Sequence, residues 1–349
     1  MASADVLLVT VGEYPGSDNK LPRLPGAAED GKRVSNWLKQ SAPDLDVTAF
    51  SWPLPLPVTP SPAPPPAPVW GCNAVEDSCK KFLMQSKSGM RDRLFVYFAG
   101  HGKLNADRTL VPFLYCAQHS MRYPDLFPTS SWVSLLTAEK AYKEYLFFLD
   151  CCNTDTYDPP PQIFAPSISP RSDHPGVLLV TAAQPAQKAV ENDQGGAFTR
   201  VLLEALSGSA GSPDSPDVTA ADVVNYLKVF VPKRAKEINP AATQTPVEWF
   251  DPYMHADLKT FVIFKRDMVS GVDITHLLEG RSAADVALLR GIDLQPTGKL
   301  VSGPGGAVTV EDVYPGPYVL RATGDWNRNI RIYTSVDDDG SVKCQAEEL

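Results

Sequence analysis

The sequence predicts an α/β protein in which helices flank a mostly parallel β-sheet, followed by a small antiparallel β-sandwich module. Short apolar, β-branched runs alternate with segments of helical periodicity, which indicates βαβ units. Two of these runs are followed directly by polar residues. In open α/β sheets, functional sites lie beyond the carboxyl ends of the strands. After about residue 268, short alternating segments are separated by Gly, Pro and Asp. We therefore expect two domains, residues 1–267 and 268–349.

The predicted strands of the first domain are short runs of Val, Leu, Ile, Phe and Tyr, as expected of buried strands. They cover residues 5–11, 46–50, 92–98, 145–149, 177–180 and 261–264. The predicted helices place apolar residues on one face, as Val34, Trp37 and Leu38 do in the first of them. They cover residues 27–40, 73–85, 131–143, 195–206 and 220–230.

A proline-rich insert interrupts this pattern at residues 53–69, where nine of 17 positions are Pro. Proline lacks a backbone N–H and cannot continue a helix or a central strand. The sequence therefore predicts an extended surface loop here. A second loop, rich in Pro and Ser, is predicted at residues 158–175.

The overall composition excludes several classes of partner and cofactor. The chain has 32 basic and 41 acidic residues and a net charge of -9, so nucleic acids and anionic membranes are not expected to bind. It contains neither an apolar run long enough to span a membrane nor the features of a secretory signal, which predicts a cytoplasmic location. Six cysteines without a CxxC pair indicate neither a disulfide framework nor a structural zinc site, and we expect no cofactor.

Two predicted strands end at residues suited to thiol chemistry. His101 follows the strand at 92–98, and Cys152 follows the strand at 145–149. In open α/β sheets, sites lie beyond the carboxyl ends of the strands, so we expect the two side chains to lie close together. An imidazole beside a thiol is the arrangement that activates a cysteine nucleophile, and this chemistry needs no metal.

The residues around these two positions resemble the signatures of caspase-like cysteine peptidases. Phe95-Val-Tyr-Phe-Ala-Gly-His-Gly102 resembles the strand that ends in Gly-His-Gly, and Leu149-Asp-Cys-Cys152 the strand that ends in Asp-x-Cys. The likeness is greatest to the metacaspase and bacterial orthocaspase branch and covers roughly residues 5–265. It implies that His101 is the general base and Cys152 the nucleophile, with the backbone N–H groups of Gly102 and Cys152 as the oxyanion hole. In another register, the nucleophile would be Cys151.

The resemblance also implies a specificity. Acidic residues at the positions of Asp30 and Asp150 line the pocket for the residue before the scissile bond in the metacaspase branch. Two carboxylates favour a cationic side chain, and Arg over Lys where bidentate contact is possible. Caspase relatives are often matured by cleavage after the nucleophile, which makes Arg171 a candidate processing site. The sequence departs from the family at Asn153-Thr-Asp155, where relatives often have His-Ser-Gly.

The expected partners are protein substrates and, by resemblance, an upstream activating protease or a regulatory protein. Bacterial relatives act in stress or anti-phage defence, which is therefore the expected setting. A different function class stays open, in which the caspase-like domain is a catalytically weak scaffold that binds protein partners. A different thiol or ester hydrolase is a third alternative, although the sequence contains no Gly-x-Ser-x-Gly elbow.

Overall fold

The structure is a computed structural model of the 349-residue chain. The residues that it describes are 4–15, 21–41, 46–52, 71–85, 91–103, 112–118, 125–153, 175–211, 215–249, 261–266, 270–290, 299–322, 326–336 and 342–348. The proline-rich insert predicted at residues 53–69 lies outside them. Among the described residues, we find no helix that is long and apolar enough to cross a membrane.

Five α-helices and twenty strands form the described chain. The helices are α1 (Pro25–Ser41), α2 (Cys72–Gln85), α3 (Thr129–Ala138), α4 (Ala197–Glu204) and α5 (Ala220–Ile238). The strands are β1 (Ala4–Val11), β2 (Asp46–Trp52), β3 (Arg91–Gly100), β4 (Gly102–Lys103), β5 (Phe113–Tyr115), β6 (Leu126–Phe127), β7 (Tyr142–Cys151), β8 (Gly176–Thr181), β9 (Glu191–Asn192), β10 (Gly195–Gly196), β11 (Asp217–Thr219), β12 (Val247–Trp249), β13 (Val262–Lys265), β14 (Val272–Asp273), β15 (Val286–Arg290), β16 (Lys299–Ser302), β17 (Val308–Glu311), β18 (Gly316–Ala322), β19 (Asn327–Val336) and β20 (Val342–Glu348).

The chain forms two compact units. The first contains Met1–Val201 and Leu227–Asp257, and the second contains Leu202–Tyr226 and Leu258–Leu349. The domain boundary after residue 267 stays a prediction.

The first unit is built on a six-stranded sheet in the order β12-β8-β7-β3-β1-β2. Five strands of this sheet run parallel to one another, namely β2, β1, β3, β7 and β8. The edge strand β12 runs antiparallel to β8. The predicted α/β class with a mostly parallel sheet is therefore confirmed. Because the inner strands are parallel, their carboxyl ends meet at one edge of the sheet.

Both faces of this sheet are covered, as the continuous apolar runs require. Alternate side chains of β3 point to opposite faces. Leu94 and Val96 belong to the core cluster that also contains Phe82 of α2 and Leu136 of α3. Phe95 points to the other face, where its ring lies 6.0 Å from that of Trp37 in α1.

The second unit contains two antiparallel sheets, with strand orders β14-β17-β16 and β15-β18-β19-β20. Buried residues of both sheets, among them Val308, Val310, Leu320 and Ile330, belong to one apolar cluster. The predicted C-terminal antiparallel module is therefore present. The pair β11 and β13 forms a further small sheet in this unit.

Several predicted boundaries differ from the structure. The helix predicted at 131–143 ends at Ala138, and β7 begins at Tyr142. Lys140 has a positive φ of 51°, which ends the helix and turns the chain into the strand. The strand predicted at 261–264 pairs with β11 rather than joining the large sheet. The sequence analysis missed β12, whose three residues carry too short an apolar pattern.

A disulfide bond joins Cys72 and Cys116 across 44 positions of the chain, with 5.4 Å between their Cα atoms. It links the first residue of α2 to the residue after β5. Both cysteines are buried. The cysteine spacing did not indicate this bridge, because the two residues meet only through the folding of separate elements.

Replacing both Cys72 and Cys116 with Ser should lower the free energy of unfolding by roughly 2–4 kcal/mol, because the unfolded chain regains the entropy of an open loop. Urea unfolding of the two proteins under non-reducing conditions measures this difference. A reductant should destabilise the wild-type protein and leave the double Ser variant unchanged. Equal stability of the wild-type protein with and without reductant would contradict this prediction.

Candidate active site

The pairing of β3 with β7 brings the two predicted catalytic residues to neighbouring positions. The strands pair in parallel with Gly100 opposite Cys151. His101 and Cys152 are the next residue on each chain, at the ends of strands that run about 4.8 Å apart. The two predicted side chains thus leave adjacent positions of one sheet edge, as the sequence analysis expected.

Three hydrogen bonds fix His101 in this place. Its backbone N–H donates to the Tyr14 hydroxyl at 2.7 Å, and its carbonyl accepts the Tyr115 N–H at 3.0 Å. Its ring nitrogen Nε2 lies 2.8 Å from the carbonyl oxygen of Pro22. A carbonyl oxygen can only accept, so Nε2 carries the proton and Nδ1 is the acceptor. Burial lowers the pKa of His101 below its ordinary value of 6.5.

Cys151 ends β7 and Cys152 follows it, and the two side chains lie in different surroundings, as alternation along an extended chain predicts. Cys151 is buried in the apolar cluster with α2 and α3. Cys152 is half-buried, and its Sγ lies 4.0 Å from the carbonyl oxygen of Ala189. Burial raises the pKa of both thiols, while the nearby Lys188 acts to lower that of Cys152. Cys152 lines a cavity that does not include Cys151.

Gly102 lies directly against this pair. A Cβ atom at this position would collide with the Cys152 carbonyl oxygen and would lie 2.7 Å from the Sγ of Cys151. The close backbone approach therefore requires glycine. The oxyanion role of the Gly102 and Cys152 N–H groups stays a prediction.

Three carboxylates lie beside the Cys152 thiol. Asp30, Asp150 and Glu191, which we call the acidic pocket, line one cavity with Cys152. The cavity has a volume of about 20 Å³, enough for about one water molecule. The predicted pair Asp30 and Asp150 thus meets in space, although Asp30 lies in α1 and Asp150 in β7.

Backbone and hydroxyl donors hold the two buried aspartates. Asp30 Oδ2 accepts the Gly196 N–H at 2.7 Å. Asp150 Oδ2 accepts the N–H and the hydroxyl of Thr199 at 3.2 and 2.6 Å. Asp30 Oδ1 is buried and has no hydrogen-bond partner within the described ranges. Such an acceptor is costly to bury, which suits a pocket that receives a donor from a ligand.

Burial makes the acidic pocket hard to ionise when it is empty. It raises the pKa of Asp150 to about 6 and that of Glu191 to about 7, and the charge of Asp150 adds to the effect on Glu191. The pKa of Asp30 is also raised, first by burial and then by Asp150. A bound cation would reverse these shifts, because an opposite charge favours the ionised carboxylates.

Glu191 is the site residue that the sequence analysis missed. It lies on β9, which pairs with Gly195 and Gly196 of β10. A Cβ atom at Gly196 would lie 2.5 Å from Asp150 Oδ2 and 2.9 Å from Asp30 Oδ2. The Gly-Gly pair therefore leaves space for carboxylates. The sequence analysis placed these two glycines at the start of a helix, whereas they form the second strand of this hairpin.

One group of potential metal ligands occurs in the part of the chain that the structure describes, formed by Cys72, Cys116 and Asp125. Its two sulfur atoms are joined in the disulfide, so they are not available as thiolates. The Asp125 carboxylate accepts the Cys72 N–H at 3.0 Å. The group is therefore explained as a buried structural bridge.

Residues 5–249 match the sequence model of a family described as the caspase domain. The chain belongs to the caspase domain family. This caspase-like protein is therefore a cysteine peptidase, a hydrolase whose substrates are proteins. A comparison with curated proteins gives no match.

Solved structures of low sequence identity are similar to this caspase-like chain. The crystal structure of caspase-1 from Spodoptera frugiperda is 16% identical, has a TM-score of 0.49, and the match covers 75% of this chain and 88% of that one. A structure of pro-sf-caspase-1 is 15% identical, with a TM-score of 0.45 and coverage of 71% and 87%. A structural-genomics protein from Geobacter sulfurreducens is 13% identical, with a TM-score of 0.44 and coverage of 74% and 99%.

The raised pKa of Glu191 predicts a pH-dependent stability. A carboxyl whose folded-state pKa of about 7 exceeds its ordinary value of 4.5 stabilises the fold at low pH, and this stabilisation is lost as pH rises through the folded-state pKa. Glu191→Gln removes the titration, so its free energy of unfolding should fall less than that of the wild-type protein between about pH 5 and 8. Urea unfolding across this range measures both slopes, and equal slopes would contradict the prediction.

Proposed function

We propose that this protein is an endopeptidase that cleaves proteins after basic residues, Arg in preference to Lys, with His101 as general base and Cys152 as nucleophile. The observation that carries the proposal is one cavity in which the Cys152 thiol lies beside the acidic pocket of Asp30, Asp150 and Glu191. This cavity must widen beyond its volume of about 20 Å³ to admit an Arg side chain.

The mechanism follows from the protonation states of the pair. Burial favours the neutral thiol of Cys152 and the neutral imidazole of His101 in the resting enzyme. The Pro22 carbonyl holds the proton on Nε2, so Nδ1 takes the thiol proton as the sulfur attacks the scissile carbonyl. The N–H groups of Gly102 and Cys152 stabilise the developing oxyanion. His101 then protonates the leaving amine, and water hydrolyses the acyl-enzyme.

The specificity follows from charge. A pocket of three carboxylates is an unfavourable place for an acidic side chain, because its charge would add to theirs, whereas a cationic side chain favours their ionised form. A guanidinium offers five N–H donors in a planar fork, whereas an ammonium is a compact point charge. Asp30 Oδ1 supplies one acceptor that has no hydrogen-bond partner among the described residues. These features support Arg over Lys.

The acidic pocket also supports placement in the metacaspase and orthocaspase branch, whose members resemble this chain at Asp30 and Asp150. By the same resemblance, we propose activation by cleavage in the loop after the nucleophile and a role in bacterial stress or anti-phage defence. The candidate processing site Arg171 lies outside the described residues. We also propose a cytoplasmic location. The cytoplasm is reducing, so this location requires that burial protects the Cys72–Cys116 bridge from reduction.

An activity-based probe tests the nucleophile and the specificity together. An acyloxymethyl ketone that carries Arg should label the wild-type protein and Cys151→Ala, whereas Cys152→Ala should not be labelled, because it lacks the attacking sulfur. The labelled residue is identified by peptide mass spectrometry. A matched probe that carries Asp serves as the control and should label at least tenfold more slowly, roughly 1.4 kcal/mol in activation free energy.

Three outcomes of this experiment would overturn the proposal or a part of it. Faster labelling by the Asp probe would contradict the basic specificity. Equal labelling of Cys152→Ala and the wild-type protein would contradict the nucleophile, and the absence of labelling from all proteins would favour the scaffold that only binds partners.

A further inference from the structure

Tyr14 belongs to the apolar core cluster and also contacts the predicted catalytic histidine. It follows β1 and is 8% exposed. Its hydroxyl accepts the backbone N–H of His101 at 2.7 Å. Its ring also lies against the imidazole, with 5.1 Å between the ring centroids and 40° between the planes. One side chain thus contacts both the backbone and the ring of His101.

The residue before the histidine leaves space for this contact. A Cβ atom at Gly100 would lie 3.0 Å from the Tyr14 hydroxyl and 2.9 Å from the ring of Phe98. Both distances are shorter than ordinary van der Waals contact. The absence of a side chain at Gly100 therefore allows the Tyr14 phenol to contact the His101 backbone. This explains why glycine occupies the first position of the Gly-His-Gly motif.

The chain from Gly12 to Leu24 carries Tyr14 and makes a second contact with His101, through Pro22. The Leu24 N–H donates to the Gly12 carbonyl at 2.8 Å, which brings the two ends of this segment together. Pro22, near its far end, provides the carbonyl that contacts Nε2 of His101. The orientation and the tautomer of the imidazole are thus set from the same stretch of chain.

Burial keeps the Tyr14 phenol neutral. The pKa of Tyr14 is raised well above 10.0, first by burial and further by nearby groups that include Cys151 and Cys152. The phenol is therefore not a base that competes with His101 for the thiol proton. It acts as a neutral hydrogen-bonding group beside the pair.

We propose that Tyr14 is a positioning residue that holds His101 in the orientation needed for general-base catalysis. The inference rests on the proposed function, in which His101 is the base. It assigns Tyr14 no contact with substrate. The competing explanation is that Tyr14 only contributes to the stability of the fold.

Tyr14→Phe separates these explanations, because it keeps the ring contact and removes the hydroxyl acceptor. Without this hydrogen bond the imidazole should be oriented for proton transfer less often, so kcat should fall about tenfold while KM stays within about twofold. The matched control is Tyr145→Phe, since the Tyr145 hydroxyl is also buried and donates to the Leu136 carbonyl at 2.6 Å. Tyr145 lies toward the amino end of β7, so this control should lose stability without losing kcat.

A second readout does not depend on peptidase activity. NMR titration of His101, in a Cys152→Ala background, measures the imidazole pKa, which burial holds below 6.5. In Tyr14→Phe the less restrained ring gains contact with water, so the pKa should rise toward 6.5, and in Tyr145→Phe it should not move. If the wild-type protein proved inactive, the proposed function would fail while this titration would still test Tyr14.

Gly100→Ala provides a second variant, because its methyl group displaces the Tyr14 hydroxyl from the other side. It should show the same loss in kcat and the same rise in the pKa of His101. An unchanged His101 pKa in both Tyr14→Phe and Gly100→Ala would overturn the proposal. An equal loss of kcat in Tyr145→Phe would also overturn it, because the effect would then be one of stability alone.

Discussion

The site depends on one structural constraint, the parallel in-register pairing of β3 with β7. This pairing sets Gly100 opposite Cys151, so the next residues, His101 and Cys152, leave the sheet side by side. A shift of the register by one residue would move every side chain of the strand to the other face. Cys151 would then point into the cavity and Cys152 into the apolar core. The buried contacts on both faces of β3 hold the register, and so they also decide which thiol is exposed to a substrate.

The same constraint explains the electrostatics of the pocket. Asp150 precedes Cys151 on β7 and shares a face with Cys152, so alternation along the strand brings a carboxylate to the thiol. The fold adds Asp30 from α1 and Glu191 from β9, and burial raises the pKa of all three carboxyls. Such a group of acids opposes folding once it is ionised, and a cationic substrate of the proposed kind would relieve this cost. Under the proposed specificity, the three acids therefore lower the stability of the free protein and favour the binding of a cation.

The strand pattern predicted much of this arrangement. The runs before His101 and Cys152 are continuous and apolar, which is a strong local signal for buried parallel strands, and the α/β class followed from their alternation with helices. Glu191 was missed because its proximity to Asp30 depends on a short hairpin and on contacts between residues far apart in sequence. The Cys72–Cys116 bridge was missed for the same reason. The strand at Val262–Lys265 was predicted, but its partner β11 was not. Strand pairing depends on contacts between residues far apart in sequence, which a local pattern does not contain.

The most direct test of the account is a crystal structure of the protein with a peptide aldehyde that ends in Arg. The account predicts a covalent bond between the aldehyde carbon and the Sγ of Cys152, with the guanidinium hydrogen-bonded to carboxylate oxygens of Asp30, Asp150 and Glu191. His101 should retain its contacts with the Pro22 carbonyl and the Tyr14 hydroxyl. A bond to the Sγ of Cys151, or an Arg side chain that avoids the three carboxylates, would contradict it.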